Sequence, residues 1–129
     1  MSTKKAKASN AKIGAFLGNV YAHNNSMKLY HWSITGVGSY ARHIAIDEAL
    51  ESLAEVLDRL VETSIATYDD LDIVIPEVKM PREMIKHCQS FYDYVEKSRP
   101  LFTEAFTQAI IDDYQEALQQ LLYRVIRLQ

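Results

Sequence analysis

Five residues in the first half of the chain, His31, His43, Asp47, Asp58 and Glu62, have the types and spacing of a transition-metal ligand set. One copy of the chain cannot close it. The last four stand at steps of four, eleven and four residues. At about 100° per residue they fall within roughly a 100° arc of one helix face. Rise separates them, however. Asp47 and Asp58 lie about 16 Å apart along the axis at ~1.5 Å per residue, whereas metal–ligand bonds are about 2 Å long. The two halves of the stripe must therefore serve different metal centres. A two-fold axis that sets a second copy of the helix antiparallel to the first brings Asp58 and Glu62 of one copy to His31, His43 and Asp47 of the other. The expectation is a homodimer with two equivalent interface sites.

An acidic stripe on a helix is ordinarily a solvated face. Here Asp47 and Asp58 share their sector with Ala54, Val61 and Ile65, with Leu50 alongside, while Glu48, Ser52, Glu55 and Arg59 point away. Carboxylates among apolar residues need a counter-charge. Either a metal or a facing cation, Lys28 or Arg42, would supply it. His43 with Asp47, and Asp58 with Glu62, are i, i+4 pairs able to reach one ion. Imidazole with carboxylate suits iron, manganese or zinc, and the lack of thiolate argues against structural zinc. Di-iron bundles that close a site within one chain use Glu-x-x-His motifs. The chain has none, which favours an interface site.

The elements that position these residues read as helices. A chain of 129 residues, 48% hydrophobic, with three Pro and four Gly, predicts one all-α domain. The first helix is expected from a cap at Ser9 or Asn10 to about His31–Ser33, burying Ile13, Phe16, Leu17, Val20, Met27 and Trp32. Gly36 and Gly38 break it. Ser39 is the expected cap of a second helix over Tyr40 to Thr67, with Leu50, Leu53, Leu57 and Leu60 as core stripe. The stretch YDDLDIVIPEVKMP is long enough to be a crossover. A third helix over 82–97 presents Ile85, Cys88, Phe91, Tyr92 and Val95. Pro100 fits the first turn of a fourth helix reaching Leu128, whose apolar face is Phe102, Phe106, Ile110, Tyr114, Leu118, Leu121, Leu122 and Val125. A four-helix bundle with one long crossover between helices 2 and 3 is the natural class.

Charge is unevenly divided. The first twelve residues carry +4 through Lys4, Lys5, Lys7 and Lys12, and the remainder −7, for a total of −3. Residues 1–12 therefore read as a basic flexible arm and 13–129 as the bundle domain. The arm is either a non-specific DNA contact or a solubilising start. The lone Cys88 excludes an intramolecular disulfide, fits a reducing compartment, and reads as a buried small hydrophobe. No apolar run is long enough for a membrane span, and the expected location is the cytoplasm, with nucleoid association if DNA is bound.

His31-Trp32-Ser33-Ile34-Thr35-Gly36, followed by His43, Asp47, Asp58 and Glu62, resembles the ferroxidase signature of the Dps-type miniferritins, the DNA-binding proteins from starved cells. The match is strong over residues 20–66, weaker over IIDDYQEALQQLLYRV and faint between; the chain is shorter than typical members. The resemblance implies a ferritin-like four-helix bundle. His31, His43 and Asp47 from one subunit, with Asp58 and Glu62 from its partner, would hold one or two iron ions. Trp32 would pack beside them. It implies oxidation of Fe(II) by hydrogen peroxide or dioxygen, storage of ferric mineral in a shell of twelve subunits, and protection of DNA. Asp69, Asp70 and Asp72 either draw cations toward the shell or form a solvated turn. Two alternatives stand beside it: a DNA-compacting structural protein of the same fold, and a metal-free helical oligomer.

Overall fold

A computed structural model of the chain describes residues 4–128, with side chains from Ser9 onward. Four helices, α1 (Lys4–Ser33), α2 (Ser39–Tyr68), α3 (Met84–Ser98) and α4 (Ala105–Arg127), are joined by short links except between α2 and α3. Gly36 and Gly38 turn the chain between the first two, at φ 96° and 78°. Left-handed backbone of this kind costs glycine little. Gly38 takes the N-cap position of α2 without a side-chain hydrogen bond, so Ser39 is the first helical residue and not the expected cap.

Long-range contacts order the bundle. Asn10 donates to the Tyr68 carbonyl and His31 stacks on His43, which sets α1 antiparallel to α2. Arg124 reaches the Ala45 carbonyl while Arg59 pairs with Asp113, so α2 and α4 are antiparallel as well. Asn19 with Tyr94 and His23 with His87 do the same for α1 and α3. The helices thus run around the bundle in the order α1, α2, α4, α3. Inside, Leu17, Val20, Leu53, Leu118 and Leu121 are fully buried, each contributing about 1.5–3 kcal/mol through loss of apolar surface from water. Tyr114 donates to Asn24 across this core at 2.8 Å.

Several expectations are corrected. Helix α1 already includes Lys4, so it does not start at a Ser9 or Asn10 cap. Trp32 is 66% exposed. One residue after the inward His31 is about 100° of rotation, which carries the indole out of the core stripe. Pro100 sits in a separate 3-10 turn, Arg99–Leu101, and extended backbone at Phe102 delays α4 until Ala105. Phe106 is exposed because Thr107 takes the inward position of that first turn. Cys88 is fully buried as expected, and burial pushes its thiol up to about 12, too high for reactivity at neutral pH.

The connection 69–83 lies on α1. The carbonyl oxygens of Asp72 and Val74 occupy the positions where a β-carbon would stand on Gly14 and Gly18. Further along, Glu77 and Lys79 share a cavity wall with His23 and His87. The segment therefore travels from the Tyr68 end of α1 toward the start of α3. In an exposed helix Ala favours folding by about 1 kcal/mol over Gly, but overpacking of this kind costs about 1–3 kcal/mol per site. Gly14→Ala and Gly18→Ala are expected to lower the urea midpoint. A midpoint raised in both would show that the connection does not rest on these glycines.

Candidate metal centre

The last turn of α1 and the second and third turns of α2 bring three of the five predicted ligands together. His31 faces the core side of α1 and is 3% exposed. Its ring stacks on that of His43, with centroids 3.8 Å apart and planes inclined by 27°. Its Nε2 lies 3.6 Å from Asp47 Oδ1. Neither His31 nitrogen has a hydrogen-bond partner among the described residues. Burial, then His43 and Lys28, lower the affinity of His31 for a proton. The ring therefore stays neutral at neutral pH and offers a nitrogen lone pair, the form a metal ion takes.

Lys28, one turn before His31, donates to Asp47 Oδ1 at 2.6 Å. That hydrogen bond holds the Asp47 carboxyl below the usual carboxylate range, so the group is ionised and already carries a counter-charge. Arg42, the other cation considered, donates instead to the Thr35 carbonyl at 3.2 Å.

Asp58 and Glu62 are not brought to this cluster. Both are exposed on α2, further along the same helix. An open groove of about 360 Å³ between α1 and α2 runs from Lys28 and Asp47 past Leu50 to Asp58, with Tyr21 and Asn25 on its opposite wall. Among the described residues, no group of three or more His, Cys, Asp or Glu side chains has metal-holding geometry. Trp32 stands exposed next to His31. Asp69, Asp70 and Asp72 are exposed in the connection. Lys12 is exposed on α1, whereas the side chains of Lys4, Lys5 and Lys7, the other candidate DNA contacts, lie outside the described residues.

One cluster escapes sequence reading altogether. His23 and His87 meet between α1 and α3, with Nδ1 of the first 3.1 Å from Nε2 of the second. They are 64 residues apart in the chain, and no local spacing signals such a pair. No helix among the described residues is long and apolar enough to cross a membrane.

No curated protein and no solved structure matches the chain. A family of unknown function, DUF5856, matches residues 31–125, a span of most of the bundle that begins at His31 and holds all five candidate ligands. The chain belongs to that family.

Proposed function

We propose that the protein is a ferroxidase of the miniferritin type, taking Fe(II) as substrate at sites shared between two copies of the chain. The observation that carries this reading is His31, a buried neutral imidazole whose two nitrogens have no hydrogen-bond partner among the described residues, set against His43 and Asp47. A buried polar group without a partner costs about 1–3 kcal/mol, and a bound ion would offset that cost.

The surface of α2 supports the two-fold arrangement. An antiparallel copy centred between Ala54 and Glu55 sets Asp47 against the second copy's Glu62, and Glu51 against its Asp58. The same register places the exposed Ile44 against Ile65. Opposed carboxylates repel unless a cation lies between them. The helix order and the path of the connection along α1 support a ferritin-like bundle with one long crossover between α2 and α3. Storage of ferric mineral in a twelve-subunit shell, and protection of DNA, belong to the same proposal.

In the reaction, two Fe(II) ions each give one electron to a peroxide molecule. Its O–O bond breaks, and two protons complete two waters. His31 and His43 would hold Fe(II) through imidazole nitrogen. Asp47, with Asp58 and Glu62 of the second copy, supplies hard oxygen donors that favour Fe(III) as it forms. With Fe(II) added anaerobically and then peroxide, ferric absorbance should rise faster with wild type than with Asp58→Ala/Glu62→Ala. Equal rates would remove the proposal.

The Lys28–Asp47 pair favours a second reading, a metal-free oligomer in which lysine is the permanent counter-charge. Both side chains are over a third exposed, 39% and 34%, and such pairs contribute about 0–1 kcal/mol. Lys28→Met should therefore shift the unfolding midpoint little. It should also strengthen binding of Co(II), an inert stand-in for Fe(II), by freeing Asp47. Unchanged or weaker Co(II) binding would favour the metal-free oligomer.

A further inference from the structure

Helix α1 carries a second pair of imidazoles on the side facing α3 and the connection. The rings of His23 and His87 are inclined by only 10°, with centroids 4.8 Å apart. Two of their nitrogens, His23 Nδ1 and His87 Nε2, lie 3.1 Å apart in hydrogen-bonding geometry, so the near-parallel rings are offset toward each other's edges. Phe91 stacks on the open face of His23 at 3.9 Å and 4°, fixing that ring. Ser26 donates its hydroxyl proton to the His23 carbonyl at 2.7 Å. Its oxygen lone pairs are left facing His87 Nε2 at 3.3 Å. His23 Nδ1, His87 Nε2 and Ser26 Oγ thus converge on one point, which takes a proton shared between them or, in the tautomers that carry their protons on the outer ring nitrogens, one cation.

The distances fit a cation. Two imidazole nitrogens bound to one ion at 2.0–2.1 Å in tetrahedral geometry stand about 3.3 Å apart. The cavity beside the pair holds about 340 Å³ and opens to solvent, so water can enter and fill the remaining coordination positions. Glu77 and Lys79, exposed on its wall, pair with each other at 3.8 Å. Cys88 follows His87 in sequence, but its thiol is buried against Met27 and takes no part.

We propose that His23 and His87 form a binding site for one zinc-class divalent ion, with the Ser26 hydroxyl and water as oxygen donors. Imidazole with oxygen ligands suits zinc, copper(II) and nickel. The site clamps α1 to α3 and shares no residue with His31, His43 or Asp47, so it stands whether or not the ferroxidase reading holds.

Zinc titration of the full chain, freed of metal by a chelator, tests it by calorimetry and by the imidazole nitrogen signals of His23 and His87. Zinc is expected to shift both signals in wild type. His87→Ala, at a half-buried position, should lower the affinity of that site about tenfold or more, while His31→Ala leaves it intact. Absence of zinc-dependent shifts at His23 and His87 in wild type would overturn the site, as would loss of binding only in His31→Ala. Because the wild-type signals report directly, the outcome does not depend on the variant folding.

Discussion

Mixing two inactive variants is expected to restore iron oxidation. His43→Ala/Asp47→Ala removes one half of the proposed site, and Asp58→Ala/Glu62→Ala removes the other. Each alone should oxidise Fe(II) at the buffer rate. In a mixed dimer one site combines both damaged halves and the other combines both intact halves. If subunits exchange at random, half the dimers are mixed, and about a quarter of all sites regain activity. The measurement is ferric absorbance after the two variants are unfolded together and refolded, beside each refolded separately. The separation of the two carboxylates from His31 within one copy is what makes the result informative. A site closed within one chain would never recover by mixing, so no recovery would overturn the shared site, while an active Asp58→Ala/Glu62→Ala variant would place those carboxylates outside the chemistry.

Acid should destabilise the metal-free protein well above the carboxylate range. His23 is 4% exposed. Burial, with His87 beside it, drives its pKa from 6.5 to about 3. His87 and His31 move in the same direction, each chiefly through burial. A histidine whose folded pKa is depressed contributes stability that is complete above its unfolded pKa. That stability is lost as pH falls, because the unfolded chain takes up a proton the fold refuses. The window for His23 therefore runs from about 6.5 down to about 3, at up to ~1.4 kcal/mol per pH unit. Between pH 7 and pH 5 this histidine alone removes about 2 kcal/mol. The groups facing it are His87 from α3 and Glu77 and Lys79 from the connection.

Asp47 and Glu104 act differently. Their pKa values are lowered by hydrogen bonds from Lys28 and Tyr68, so their contribution is lost only at more acidic pH. Urea unfolding at pH 7 and pH 5 with a chelator present should show the loss, and His23→Gln should flatten it. Equal stability at the two pH values would mean that the buried pair is solvated.

The residues themselves determined the helices, most of their core stripes and half of the candidate site. Leu50, Leu53, Leu57 and Leu60 recur at helical spacing and are buried, because amphipathic period is a property of neighbours in the chain. His43 and Asp47 share a face for the same reason, and Gly36 and Gly38 mark the turn that returns α2 to His31. Tertiary structure decided what depends on distance through space. It placed His31 inward and Trp32 outward, gave Asp47 to Lys28, laid the connection across Gly14 and Gly18, and joined His23 to His87. Each of these joins parts of the chain whose relative rotation or separation is set by packing of whole helices, and local pattern carries no record of that packing.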